Sequence, residues 1–411
     1  MDDAGTRDAG PARDAGPPDA GPAPDDSPLK GPWVQQPTTS ASLVRWESRL
    51  APPSAAIEAV AVGGGDTLSF TGTSRETVTQ LSYGIGSPLV SDPDVPGTYF
   101  VNEVELTGLA PATCYTYTIV GWPTHGGRFC TMHEASDHAT PIRFYVIGDT
   151  SPGVMGTVRL ISAAQPENTE FTVHVGDLQY YSTLIESQQL WFNLMQPLLS
   201  ANAFLPCVGN HEMDEIPFEY VDYYERLFTP AGRNGNDRYY HFNTGGVWFF
   251  SLSSEHDIDM GSEQLDWLEA ELAVAEADPD YRFSIVYVHR PLFSLGDYRP
   301  SDSLRAALLP VFEAHRIPLV LSGHNHAYER FEYPGITHVV SGAGGFIDRS
   351  VDQRVDEDPD AAMHRAASGV FLQSMIFEVT QNGAGEDVVR GEALDDMGMV
   401  RDSFEHVVSA P

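Results

Sequence analysis

Three short stretches decide the reading of this chain: Phe144-Tyr-Val-Ile-Gly-Asp149, Val173-His-Val-Gly-Asp177-Leu-Gln-Tyr180 and Cys207-Val-Gly-Asn210-His211-Glu212. Each is an apolar run that ends in a glycine and then a polar residue able to bind a metal. Two more follow, Ile285-Val-Tyr-Val-His289 and Leu321-Ser-Gly-His324-Asn-His326. Runs of this kind predict strands buried on both faces, as in an α/β sheet covered by helices. In such sheets ligands bind beyond the carboxyl ends of the strands, where the rigid strand fixes the first loop residue. Gly148, Gly176, Gly209 and Gly323 each precede a polar residue and allow a tight turn there. A single Gly-Asp or a lone histidine is ordinarily a turn or a satisfied polar group. Five such endings together supply two Asp, one Tyr, one Asn and three His. That is a set sufficient for two six-coordinate metal ions sharing a carboxylate.

Working outward, short apolar segments alternate with longer ones from Pro141 onward, at Phe144–Ile147, Phe171–Val175, Phe204–Val208, Val247–Leu252, Phe283–Val288, Leu319–Leu321 and Thr337–Val340. Ser262–Ala275 has helical apolar spacing, with Ser262 placed to cap it. From about Gly31 to His138 the signals are all β. Alternating segments (Ala41–Trp46, Thr67–Thr71, Thr77–Tyr83, Tyr99–Leu106, Cys114–Val120) are separated by Gly, Pro, Asp and Ser clusters. Residues 1–30 repeat Asp-Ala-Gly four times with proline interleaved. Such a stretch buries too little surface to offset its ordering entropy and reads as a disordered spacer. The expected division is 1–30 spacer, 31–138 β-sandwich and 139–411 catalytic α/β domain.

The 411 residues carry a formal net charge of −35, and Lys30 is the only lysine. A chain so acidic repels polyanions, which argues against nucleic-acid partners. No apolar run is long enough for a membrane span. Of the cysteines, Cys114 and Cys130 lie in neighbouring strand-like segments, and a bridge between them would fit an oxidising compartment. The sequence leaves open whether the two side chains face each other. A spacer of this composition is what commonly follows a processed or lipid-anchored N-terminus. It suggests a secreted, periplasmic or cell-surface protein.

The ordered set Gly-Asp149, Gly-Asp177-x-x-Tyr180, Gly-Asn210-His211-Glu212, Val286-x-x-His289 and Gly-His324-x-His326 resembles the five-block signature of the calcineurin-like metallophosphoesterases. Tyr180, three residues after Asp177, makes it similar to the purple acid phosphatases in particular. The stretch Val104–Thr118 resembles the late-strand signature of a fibronectin type III domain. The resemblance implies a four-layer α/β/β/α sandwich preceded by a fibronectin III-like sandwich. It also implies Fe(III) held by Asp149, Asp177, Tyr180 and His326. A divalent Fe, Zn or Mn would be held by Asp177, Asn210, His289 and His324. Hard anionic donors suit the trivalent ion and neutral His and Asn the divalent one.

The activity implied is hydrolysis of small phosphomonoesters at acidic pH, by in-line attack of a metal-bound hydroxide on phosphorus, with His211 contacting the phosphate and protonating the leaving group. Alternatives are a phosphodiesterase, nucleotidase or phytase of the same superfamily, or a surface binding protein that uses the metallo-domain as scaffold. One departure stands out. Plant-type relatives carry further histidines about ten residues after the position of His289, and here Arg290–Arg299 contains none. Arg299 or Tyr298 would have to replace them in phosphate binding. His174 fits either a supporting or a core role, and His315, His338 and His364 read as structural.

Overall fold

The computed structural model describes residues 27–79, 97–150, 155–165, 168–178, 180, 185–213, 224, 227–229, 235–348 and 350–408. Three parallel strands lie at the heart of the first sheet: β9 (Ile142–Ile147), β10 (Phe171–His174) and β11 (Ala203–Pro206). Their neighbours on one side are β19 (Gln373–Gln381), β20 (Asp387–Asp395) and β21 (Val400–Val407). On the other side the sheet continues into β1 (Pro28–Gln35), β2 (Ala41–Ser48), β6 (Gly97–Thr107) and β5 (Thr73–Thr79), ten strands in all. The second sheet has seven strands. Its centre is β13 (Val247–Leu252), β14 (Phe283–Val288), β15 (Leu319–Ser322) and β17 (Ile336–Ser341), all parallel to their neighbours in that series.

Alternation along these strands explains why nearly every residue in them is apolar. In β9, Ile142, Phe144 and Val146 enter one core while Tyr145 and Ile147 enter another. In β13, Val247 and Phe249 share the core of Phe144, whereas Trp248, Phe250 and Leu252 turn the other way. The two sheets therefore meet face to face. Phe144 and Phe249 cross edge to face at 5.2 Å, a favoured geometry for aromatic pairs. The outer faces are covered by helices. α1 (Met155–Ala164) and α2 (Ile185–Leu199) pack on the first sheet, and α3 (Glu263–Glu276) and α4 (Asp302–Ala314) on the second. Ser262 caps α3 by accepting from Leu265 N at 3.2 Å, as the sequence predicts.

In the N-terminal third, β4 (Leu68–Thr71), β3 (Ala56–Ala61), β7 (Cys114–Ile119) and β8 (Trp122–Cys130) form a separate sheet in that order. Ile57, Tyr117 and Phe129 from it share a core with Val44, Trp46 and Val104 of the first sheet. Cys114 and Cys130 are register partners across β7 and β8 and are joined by a disulfide. This settles the pairing left open by the sequence. Cys207 is buried and free.

The spacer reading extends too far at its C-terminal end. Pro28–Lys30 belong to β1, and the Lys30 ammonium is buried against Glu47. A buried charge with a carboxylate partner fixes a strand rather than a tether. Residues 1–26 lie outside the described residues. β1 also runs parallel to β11, with Val34 opposite Ala203, so one sheet passes without a break from the N-terminal strands into the α/β part. Trp33 on β1 is fully buried, contacts the Phe192 ring at 5.1 Å and donates to Leu227 O at 3.1 Å. Among the described residues, no helix is long and apolar enough to cross a membrane.

Candidate metal centre

Asp149, Asp177 and the Asn210–Glu212 turn follow β9, β10 and β11 of the first sheet, while His289 and the His324–His326 loop follow β14 and β15 of the second. The carboxyl ends of two facing sheets thus converge on one place. The backbone there is unusual. Asp149, Asp177 and His324 all have left-handed φ, at 53°, 52° and 70°. Non-glycine residues rarely adopt this conformation, and it persists only where surrounding structure enforces it. The glycines beside them are required. A Cβ on Gly209 would strike the Asp177 carboxylate, and one on Gly323 would strike that of Asp149.

Contacts sort the side chains into two groups. In the first, the Tyr180 hydroxyl lies 3.0 Å from Asp149 Oδ1 and 2.7 Å from His326 Nε2. In the second, His289 Nε2 lies 3.0 Å from Asn210 Oδ1 and 3.4 Å from Asp177 Oδ1. Asp177, His289 and His324 bring one donor atom each within 4.8 Å of one another. His289 Nδ1 is 2.9 Å from Val175 O, an acceptor that holds the proton on Nδ1 and turns the Nε2 lone pair inward. The backbone N–H of His324 donates to both oxygens of Asp149 at 3.1 and 2.9 Å. His211 donates its N–H to Asp177 Oδ1 at 2.8 Å, and its ring packs 4.2 Å from that of Tyr180.

The electrostatics are those of donors awaiting a cation. Asp149 and Asp177 are buried. Burial pushes the Asp149 pKa up, against the pull of His326. Burial acts the same way on Asp177, but His289 and His211 outweigh it and hold Asp177 below the usual carboxylate range. Tyr180 is driven far above an ordinary phenol, first by burial and then by the charges of Asp149 and Asp177. His289 rises to about 10 because Asp177 overcomes its burial, and His324 falls to about 2 through burial, His289 and Arg290. Two carboxylates, a phenol, an amide and three imidazoles, gathered at the ends of two facing sheets, match a pair of metal ions in number and type. Cations at these donors would oppose the upward push of burial on each acid.

Residues 142–328 match the calcineurin-like phosphoesterase family. These residues form a calcineurin-like phosphoesterase domain. The chain is 28% identical over 290 residues to probable purple acid phosphatase 20 of Arabidopsis thaliana, covering 65% of this chain and 66% of that one. It is 29% identical over 261 residues to purple acid phosphatase 18 of the same plant, covering 59% of each. The chain thus spans less than two-thirds of the length of these relatives. Among solved structures, the purple acid phosphatase PPD1 of yellow lupin superposes with a TM-score of 0.74 at 19% identity, covering 93% of this chain and 75% of that one. The fold is therefore the mixed α/β metallophosphoesterase fold.

The phosphoesterase domain also uses residues to which the sequence reading gave no role. Glu212 is buried and accepts from the backbone N–H groups of Asp177, Leu178 and Gly209 at 2.9, 2.8 and 2.8 Å. It ties the Asp177 loop to the Asn210 turn. Its place at the end of Gly-Asn-His-Glu was the available signal. Arg290 follows His289 directly and points Nη1 at His324 Nε2, 3.2 Å away. Asp348 Oδ1 lies 3.5 Å from His326 Nδ1. His174 is buried, with its Nε2 3.1 Å from Thr150 Oγ1, which donates to Leu178 O. Of the two expected phosphate binders, Arg299 is exposed and paired with Asp302, whereas Tyr298 packs 5.0 Å from the His324 ring. His315, His338 and His364 bond Glu276, Ser322 and Glu332 O, away from the centre.

Proposed function

We propose that this chain is a binuclear-metal acid phosphatase acting on small phosphomonoesters. The observation that carries this reading is the position of Asp177 between the two donor groups. It bears on Tyr180 on one side and His289 on the other, as a shared carboxylate must. Asp149, Tyr180 and His326 with Asp177 would hold one ion, Fe(III). Asn210, His289 and His324 with Asp177 would hold a divalent Fe, Zn or Mn. Once bound, the ions would supply a nucleophile near or below neutral pH and clamp the phosphoryl oxygens.

The chain's own residues would do the rest. His211, half-buried against the Tyr180 ring and 3.9 Å from Asp177 Oδ2, would meet the substrate and give its proton to the leaving oxygen. Glu212 and the backbone of His324 hold the carboxylates in register. A cleft of about 600 Å³ opens beside His211, lined among the described residues by Tyr180, Asp297, Tyr298, His326, Phe346 and Asp348. Two acids and three aromatic rings favour a leaving group that is neutral or cationic, and disfavour phytate and nucleotide polyanions. A small phosphomonoester with a neutral or cationic leaving group is therefore preferred to phytate or a nucleotide as the substrate.

Several wider readings accompany this one. The strand order β1-β2-β6-β5 against β4-β3-β7-β8 supports residues 31–138 as a fibronectin III-like sandwich, with 139–411 as the catalytic part. The helix, sheet, sheet, helix order of the cores supports a four-layer domain. The disulfide supports an oxidising, extracytoplasmic setting, in which residues 1–26 would serve as a surface tether.

The deciding experiment is metal analysis with a visible spectrum and an aryl phosphate assay, on protein purified without chelator or reductant. Two metal ions per chain, one of them iron, with a broad visible band and hydrolysis at acidic pH, is the expected result. Fully metal-loaded protein that hydrolyses no phosphate ester would refute the proposal.

A further inference from the structure

Arg290 is the one arginine that the described residues place against the proposed metal donors, and its position is built rather than incidental. Its backbone N–H donates to Ser254 Oγ at 3.1 Å. Its side chain grips Glu255 in a two-point pair, Nε to Oε1 at 2.7 Å and Nη2 to Oε2 at 3.1 Å. Glu255 is largely buried, and Arg290 is one-third exposed. A bidentate pair of this kind fixes a guanidinium in one plane and leaves its remaining N–H groups aimed in a set direction. Here that direction is His324, with Nη1 3.2 Å from Nε2.

This arrangement poses a charge problem. His324 stands with Asp177 and His289 in the group suited to a divalent ion. The ring nitrogen that now accepts from Arg290 has a single lone pair. If a metal ion takes that lone pair, Nη1 loses its acceptor, and a fixed positive group faces a positive ion at close range. Glu255 offsets part of the guanidinium charge but points away along the opposite edge. The arrangement is favourable only if an anion lies between the arginine and the metal, accepting from the first and binding the second.

We propose that Arg290 is the phosphate-gripping residue of this site, held by Glu255 so that its free N–H groups bind the phosphoryl oxygens of the substrate and of the product phosphate. The inference rests on the phosphatase reading and gives it a residue for the anion, since no histidine follows in Arg290–Arg299 and Arg299 itself turns away to Asp302. It also divides the labour. Arg290 binds the phosphoryl group from the His324 side, and the acidic, aromatic cleft beside His211 receives the leaving group.

The test is calorimetric titration of inorganic phosphate into the metal-loaded full chain, for the wild type and for Arg290→Ala, Arg290→Lys and Glu255→Gln. Metal content and aryl phosphate kinetics would be measured on the same preparations. Loss of a charge-assisted pair weakens an anion by about 10- to 100-fold. Arg290→Ala should show that loss in phosphate affinity with both metals retained, together with a raised KM. Arg290→Lys should recover part of it, and Glu255→Gln should fall between. Wild-type phosphate affinity in Arg290→Ala would overturn the proposal. So would loss of metal in both Arg290 variants, which would make the residue a support for His324 instead. Phosphate binding is read without turnover, so a chain that binds phosphate through Arg290 yet hydrolyses nothing refutes the phosphatase reading and leaves this one standing.

Discussion

Removing the Glu212 carboxylate should damage fold and metal site together, and the size of the effect can be worked from three bonds. Glu212 Oε2 accepts from Asp177 N and Gly209 N, and Oε1 from Leu178 N, all between 2.8 and 2.9 Å. All three donors sit where water does not reach, around a side chain only 2% exposed. Burial and the charge of Asp177 push the Glu212 pKa up to about 8, while the N–H groups at Gly209 and Leu178 and nearby His289 pull it down. A cation on Asp177 would add to that pull. Glu212→Ala strands all three donors. Above about pH 8, where Glu212 is ionised, each bond to the charged acceptor contributes roughly 1.5 kcal/mol or more, so the loss there should be about 4 kcal/mol or more. In Glu212→Gln the amide oxygen can keep two donors at most, and its NH2 then confronts the third. That variant should lose about 1–2 kcal/mol. Urea unfolding of the metal-free chain above about pH 8 would measure both numbers, and equilibrium dialysis against Zn²⁺ would measure the site. The two losses should keep the order Ala above Gln, with weakened metal binding in each. Both variants unfolding within about 0.5 kcal/mol of wild type and binding zinc equally well would refute the clamp.

Other outcomes follow from single features. Tyr180→Phe in iron-loaded protein should abolish the visible band and leave circular dichroism unchanged, since only the phenolate oxygen is lost from beside Asp149 and His326; a surviving band would remove Tyr180 from the donor set. Trp33→Ala should cost about 3–5 kcal/mol in unfolding experiments, because the ring is fully buried between β1 and the Phe192–Phe228 pair; a loss under about 1 kcal/mol would mean that β1 is not anchored through this residue. Burial raises the Glu329 pKa from its ordinary 4.5 to about 7, against bonds from Ser294 and Leu295. A carboxyl that holds its proton more tightly when folded stabilises fully below about pH 4.5, and the stability is lost as pH rises toward 7. The melting temperature should therefore fall across that window and fall less steeply in Glu329→Gln. Parallel pH profiles would show that Glu329 does not titrate on unfolding.

The residues of the candidate site were legible in the sequence because each sits one step past a strand. A buried strand declares itself by an unbroken apolar run, and the glycine and polar residue after it mark where the chain turns into the crevice. The α3 helix and its Ser262 cap were legible for the same reason, since their signals are local. The roles of Glu212 and Arg290 were not, although Glu212 closes a quoted motif and Arg290 follows one. Their roles depend on what lies opposite, and composition does not say that Asp177 N will point at Glu212 or that Glu255, 35 positions before Arg290, will hold it.

The sequence by itself determined the strands, the candidate donor residues, the acidic balance and the β-rich character of the N-terminal third, because periodicity and residue chemistry are properties of neighbours along the chain. Only the tertiary structure decided that Asp149, Asp177 and Asn210 come from one sheet while His289, His324 and His326 come from another facing it. It alone also joined Cys114 to Cys130, drew Pro28–Lys30 into β1, and ran that strand alongside β11. Those outcomes rest on contacts between residues tens to hundreds of positions apart. They are fixed by which faces can be buried together, a condition no local stretch of the chain contains.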